Sequence, residues 1–420
     1  MIECEPATAA ATTDTAAALS PHERLAQGMH THQSGNLEAA ERIYRALLAD
    51  FPDDANALHL LGVVRFQNDA TEEGLSLVQR SLESDPANAH AWNNLGNMQM
   101  QLRHPEEAEQ AYRRATTLDG AAAPAWYNLA LIHLHRAQGE QALACLREAT
   151  RAKRDFTTAL QTLAQTYYKL GRPRESCDVY RQWAEQDPDN PVPRHMLAAN
   201  AGNEVPERAE EGYIVKTFDN FADQFDRQLE KLGYCAPQLV AANLVHHRLY
   251  QRGRATVLDA GCGTGWCGPL LKSTAGRLVG VDLSKNMLER ARSRGVYDEL
   301  HEGELTAFMA SHPESFDIIV ASDVLIYFGK LAPALSAART ALRPGGLMCF
   351  SLEALVAPES GEDYRLQPHG RYAHGLEYIK RELTGAGFPE TYIYSAVVRH
   401  ELGRPVHAFV AWARLPEYTR

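Results

Sequence analysis

At 420 residues the chain is long enough for two or three domains, and 45% hydrophobic with 23% charged residues is a globular composition. A net charge of −11 and a pI near 5.9 argue against a nucleic-acid backbone as the main partner. No apolar run approaches the ~18 residues of a transmembrane helix, so no membrane span is expected.

Residues 1–20, rich in Ala and Thr, read as a disordered tail. Glu3 and Glu5 stand where a secretory signal would carry basic residues. Seven scattered cysteines (Cys4, Cys145, Cys177, Cys235, Cys262, Cys267 and Cys349) form no C-x-x-C pair, and read as reduced thiols of a cytoplasmic protein. His30/His32 and His133/His135 make H-x-H pairs, but residues two apart on a helix face different ways, so these are read as ordinary helix histidines.

From residue 21 the chain repeats. Leu61-Gly62, Leu95-Gly96, Leu129-Ala130, Leu163-Ala164 and Leu197-Ala198 follow one another at intervals of 34 residues. The same interval links Tyr44, Val78, Tyr112, Leu146 and Tyr180, and the small residues Ala40, Gly74, Ala108, Ala142 and Ser176. Small side chains let two helix axes approach, large ones fill the gap to the next unit, and Asp-Pro closes a unit. The pattern resembles the tetratricopeptide repeat. It predicts a solenoid over residues 21–201, about five units ending near residue 188 plus a capping helix over Pro193–Ala201. Such a solenoid offers a groove for a protein or peptide partner. Asn93, Asn94 and Asn128 lie on first helices, either to hold a peptide backbone or simply as a solvated polar face.

Asn203-Glu204-Val205-Pro206 breaks the period, and residues 202–212 read as a linker before a second domain over 213–420. Phe218, Phe221 and Phe225 recur at helical spacing, as a core-facing stripe or as part of a lid.

Val257-Leu258-Asp259-Ala260-Gly261-Cys262-Gly263-Thr264-Gly265 runs from an apolar strand through an acid into alternate glycines. Glycine there permits positive φ and lets a ligand lie against bare peptide groups. Asp259 suits a ligand carrying positive charge. Gly263 to Gly268 also spells G-x-G-x-x-G, the dinucleotide fingerprint, but Asp259 to Cys262 separate its first glycine from the strand. Leu278-Val279-Gly280-Val281-Asp282 is a second strand ending in an acid, placed for a βαβ unit with its helix over Cys267–Ala275. A carboxylate there can accept from ribose hydroxyls, in a dinucleotide fold as well as in others.

The glycine run resembles the first motif of class I S-adenosylmethionine-dependent methyltransferases. Asp282-Leu283-Ser284…Met287-Leu288 and Leu342-Arg343-Pro344-Gly345-Gly346 also resemble family segments, and the two expected strands Thr391–Arg399 and Pro405–Ala413 resemble its antiparallel closing pair. The resemblance implies a Rossmann-like α/β domain with a C-terminal hairpin. It implies S-adenosylmethionine as cofactor, held by Asp259, Gly261, Cys262, Gly263, Gly265, Asp282, Leu283, Glu304 and Asp323. Glu304 matches the adenine-contacting acid of the family, although an acid there can equally cap a helix. The family often carries an N-terminal lid, which is where the phenylalanine stripe falls.

Ligands of open α/β sheets sit beyond the carboxyl ends of strands, which points Asp323 and Tyr327 at the reacting methyl. The segment Glu353–Gly375 is expected to line the acceptor site, with Arg371 and Tyr372 contacting substrate and His374 as a base. Each of these is also an ordinary loop residue on the sequence alone. The reading is an S-adenosylmethionine-dependent methyltransferase whose repeats recruit a partner or acceptor. Its rival is a non-catalytic repeat adaptor with a domain that senses S-adenosylmethionine.

Overall fold

The computed structural model describes residues 19–202, 204–219, 221–246, 253–356, 361–401 and 403–417. The expected tail thus lies almost wholly outside the described residues. Ser20 is an exception: its hydroxyl accepts from the Glu23 amide while Glu23 accepts from the Ser20 amide, a capping box that starts the first helix. The chain divides into two compact units, Met1–Gly171 and Arg172–Arg420. The division falls between the two helices of the fifth repeat, so the expected linker over 202–212 lies inside the second unit.

In the first unit the helices Pro21–Gln33, Ala55–Gln67, Ala89–Gln101, Ala123–His135 and Thr157–Lys169 begin 34 residues apart. Each of the first four is followed by a partner, over Leu37–Asp50, Thr71–Ser84, Pro105–Leu118 and Gly139–Ala152. The small residues act as the pattern requires. A Cβ on Gly62 would stand 2.8 Å from the Gly74 carbonyl and 2.7 Å from Val78, and one on Gly96 would stand 2.5 Å from the Tyr112 ring. Tyr44, Val78, Tyr112 and Leu146 are buried accordingly. Between paired helices the chain turns through a left-handed residue, again every 34 positions: Gly35, Asp69, Arg103, Ala137 and Gly171, with φ of +82°, +61°, +63°, +57° and +74°. The three that are not glycine each cost on the order of 1 kcal/mol.

The first-helix asparagines join neighbouring repeats. Asn94 Nδ2 lies 2.8 Å from His59 Nε2, and Asn128 Nδ2 donates to Asn97 Oδ1 at 3.0 Å and Asn93 Oδ1 at 3.3 Å. His32 and His133 bond Gln67 and Gln138.

The second unit opens with helices Pro173–Gln186, Pro191–Ala201, Glu211–Asp219, Ala222–Lys231 and Ala236–His246. Its sheet comprises β1 (Ala255–Ala260), β2 (Ala275–Asp282), β3 (Glu299–Glu302), β4 (Phe316–Ala321), β5 (Leu342–Ala354), β6 (Tyr364–Leu366), β7 (Tyr372–His374), β8 (Glu390–Glu401) and β9 (Arg404–Arg414). The order is β3-β2-β1-β4-β5-β7-β6, with β9 antiparallel to β5 along Leu347–Glu353 and β8 antiparallel to β9. This is the expected Rossmann-like sheet closed by a hairpin. The order reverses between β1 and β4, and a ligand crevice opens at such a reversal.

Alternate strand residues face opposite layers. Leu258, Val279, Ile319 and Met348 pack with Leu335, Ala338, Ile379 and Leu383 on one face. Val257, Leu278, Ile318 and Leu347 pack with Val240, Leu244 and Leu271 on the other. Two expectations are corrected. The helix after the glycine loop is a single turn, Gly268–Leu271, because Ala275 already pairs with Ala255 as the start of β2. The segment Glu353–Gly375 is partly a two-stranded ribbon, in which β7 pairs with the end of β5 past the last β4 pairing at Phe350.

No helix among the described residues is long and apolar enough to cross a membrane, and no metal-binding cluster of His, Cys, Asp or Glu occurs among them. The six described cysteines are free thiols.

Candidate active site

The exits of β2 and β4 line one cleft, and the glycine loop after β1 adjoins it through the hydrogen bond from the Gly263 amide to Asp282; the loop uses each glycine differently. Gly261 (φ +72°) lets the chain pass under Val324, whose Cβ would be 2.7 Å from a side-chain carbon here. Gly265 (φ +83°) packs against Tyr297 and Ala291. Gly263 (φ +53°) meets nothing within 4 Å, so its open side is bare peptide. The loop is pinned from β2: the amides of Gly261 and Cys262 donate to the Val281 carbonyl. Asp282 accepts from the amides of Gly263 and Ser284, both at 2.9 Å. Burial raises the Asp282 carboxyl while these amides oppose it. Cys262 is buried beneath the loop, its thiol pushed up by burial.

Asp259 is only 1% exposed. It accepts from the Tyr297 hydroxyl at 2.6 Å, and burial pushes its carboxyl up to about 7 against that bond, with the nearby Asp282 charge adding to the rise. Tyr297 was invisible as a site residue in the sequence; its ring also fills the space beside Gly265, Gly268 and Gly280.

The cleft is walled by Asp282, Leu283, Gly303, Glu304, Val324 and Tyr327 on the sheet side. Its other wall comes from Arg208, Ala209, Glu211 and Ile214. Of the two roles that the sequence left open for Glu304, the structure shows the helix cap. Glu304 caps the helix Leu305–Ala310 by accepting from the Ala307 amide at 2.7 Å, and its other oxygen lies 3.2 Å from the Arg208 guanidinium. Thus Asp282, Leu283 and Glu304 are brought together, with Gly263 presenting bare peptide at the loop, whereas Asp259 and Cys262 lie behind it.

Beyond β4, Asp323 takes a left-handed backbone (φ +57°), a strain of a kind that collects at functional sites. Its amide donates to Ser351 Oγ and its Oδ2 accepts from Arg399 at 2.7 Å. Arg399, 3% exposed, also binds Glu401 at 2.7 Å and Glu353. Arg371 donates to Glu353 and Glu401, each at 2.6 Å, so its guanidinium is engaged internally rather than open to a substrate. Burial raises the Asp323 carboxyl, and Arg399 pulls it back. Tyr327 lines the cleft, edge-on to Phe218 at 5.6 Å.

The remaining acceptor candidates sit elsewhere. His374 is fully buried and its Nε2 donates to the Phe328 carbonyl at 2.7 Å; burial lowers it to about 4. Tyr372 is fully buried and its hydroxyl donates to the Pro206 carbonyl. Neither lines the cleft: β7 carries both into the interior. The phenylalanine helices instead reach the loop. Asp219 accepts from Ser284 Oγ at 2.5 Å, and Asp226 accepts from Thr264 Oγ1 and from Arg294. Nothing in the sequence pattern marked Asp219, Asp226, Arg208 or Arg399, because each acts across tens of residues.

Residues 3–217 match the family model of the cilia and flagella-associated protein 70 C-terminal domain, about half of the chain, and residues 258–350 match the methyltransferase domain family. The chain belongs to the first family through its repeats, and it is a tetratricopeptide-repeat protein carrying a class I methyltransferase domain. The protein named probable S-adenosylmethionine-dependent methyltransferase of Mycolicibacterium smegmatis is 28% identical over 205 residues, 48% of this chain and 69% of that protein. A malonyl-(acyl-carrier protein) O-methyltransferase of Yersinia pestis is 35% identical over 26% of this chain and 44% of its own length. A ubiquinone biosynthesis O-methyltransferase of Aromatoleum aromaticum is 28% identical over 36% of this chain and 76% of its own length. The match to the Yersinia pestis protein spans less than half of that relative.

Proposed function

We propose that the second unit binds S-adenosylmethionine in the cleft at the exits of β2 and β4, and that the chain transfers its methyl group to an acceptor recruited by the repeats. The observation that carries this reading is the pairing of Asp282 and Glu304 on one cleft beside Gly263, whose open side leaves room for a ligand against the peptide. Asp282 would hold the ribose hydroxyls and Glu304 the adenine amino group, with the glycine loop against the amino-acid end. The bound sulfonium supplies an already activated methyl, so transfer depends mainly on alignment and on exclusion of water.

This chain's residues suit that task. Tyr327 and Phe218 give the cleft an apolar edge, and the Asp219 and Asp226 contacts hold two helices to the glycine loop and the β2 exit. Asp323, held by Ser351 and Arg399, would accept a hydrogen bond from the acceptor. With His374 bonded to a carbonyl in the interior, an acceptor that needs no strong base fits best.

Calorimetric titration with S-adenosylmethionine and with a nicotinamide dinucleotide tests the binding, with saturable binding of the first alone expected. Labelled methyl transfer into a lysate, split into macromolecular and small-molecule fractions, then separates an enzyme from an adaptor: binding without any transfer would favour the adaptor.

A further inference from the structure

The segment that the sequence marks as a linker is built into the cleft. The Glu207 carbonyl accepts from the amides of Gly329 and Lys330, both at 2.9 Å, and the Ala209 amide donates to the Tyr327 carbonyl at 2.8 Å. Arg208 bridges antiparallel to Phe328, and the Tyr372 hydroxyl holds the Pro206 carbonyl at 2.7 Å. Lys330 pairs with the Glu207 carboxylate at 3.0 Å. Residues 206–209 are therefore an ordered edge laid along the loop after β4.

This edge places one cation in the cleft. The Arg208 guanidinium lies 3.2 Å from Glu304, 3.1 Å from Glu211 and 6.0 Å from the centre of the Phe328 ring. Its side chain remains 43% exposed, so it can exchange one carboxylate partner for a ligand. Glu304 offers an acceptor and Arg208 a donor, side by side. Adenine presents the complementary pair on its outer edge, an amino donor beside a ring-nitrogen acceptor. Hypoxanthine presents the reverse, a carbonyl acceptor beside a ring N–H.

Resting on the donor site proposed above, we infer that Arg208 reads the adenine edge together with Glu304, so that the segment over residues 206–209 itself selects the nucleoside of the methyl donor. Removing the segment would then remove a wall of the site and not merely a tether.

The test titrates the full chain, as wild type, Arg208→Ala and Arg208→Lys, with S-adenosylhomocysteine and with S-inosylhomocysteine. Arg208→Ala should bind the adenosyl ligand at least tenfold more weakly while the inosyl ligand changes less. Arg208→Lys, which keeps a donor and the charge, should recover part of the preference. Thermal unfolding should show that each variant stays folded, since the Arg208 side chain is 43% exposed. Unchanged affinity, or an equal loss for both ligands, overturns the role of Arg208 while leaving the donor site standing. Failure of the wild type to bind S-adenosylhomocysteine overturns the donor site and this inference together.

Discussion

The two units treat charge in opposite ways. In the repeat unit the ion pairs lie on the surface: Arg45 and Arg65 bridge Glu41 and Glu73 between successive repeats, and Arg136 bridges Glu106 and Glu109. The buried polar side chains described there are His59, Ser81, Thr116, His133 and Thr166, none a carboxylate or a guanidinium. The α/β unit buries Asp259, Glu353 and Arg399, and strains Asp323 beside them. A repeat array gains stability from many similar local contacts and leaves its face for recognition. A reaction site needs charge held out of water, where it acts strongly and is costly to leave unpaired.

The largest effect tests that contrast directly. Arg399→Ala strips Asp323, Glu353 and Glu401 of a shared partner, and should cost about 3–5 kcal/mol in denaturant unfolding of the second unit. The matching change among the exposed pairs, Arg45→Ala, should cost roughly 0–1 kcal/mol. If the two losses were alike, the distinction between the units would fail.

Overpacking probes the other side. Gly62→Ala puts a methyl against the Gly74 carbonyl and Val78, and should destabilise the repeat unit by about 1–3 kcal/mol. S-adenosylmethionine affinity, measured by titration on the folded variant, should stay within error. Asp282→Ala should do the converse and weaken that binding by about 1–3 kcal/mol, since it removes a charge-assisted partner as well as the clamp on Gly263.

The buried acid also predicts a pH dependence. Asp259 rises from 3.8 to about 7 on folding, so the native state binds the extra proton. Its contribution to stability is fully present below about pH 4 and is lost as pH rises through about 7. Asp259→Asn should therefore flatten the stability profile between those limits, as read by urea midpoints across the range; an unchanged slope would reassign it.

The smallest effect belongs to the turns. Ala137→Gly relieves a left-handed alanine at φ +57° and should stabilise the repeats by roughly 0.5–1 kcal/mol, seen as a raised unfolding midpoint.

Much was legible because it is periodic or local. The 34-residue interval set the helix starts at 21, 55, 89, 123 and 157, and apolar runs ending in an acid or glycines set β1 and β2. The glycine loop and Asp282 could be singled out because a strand end and its turn are written within a few residues, and Glu304 only through the family resemblance. Partnership across the chain could not. That Tyr297 holds Asp259, that Arg399 meets Asp323, and that β7 turns His374 and Tyr372 inward follow from which strands become neighbours. The left-handed turns at Asp69, Arg103 and Ala137 escaped for a related reason, since the helices they join impose a conformation that these side chains disfavour. The sequence by itself determined the repeat, the sheet and the loop at its centre, because hydrophobic period and backbone freedom are properties of neighbouring residues. Only the tertiary structure decided that residues 206–209 form a wall of the cleft, because an extended polar segment carries no pattern until another strand's loop offers it hydrogen bonds.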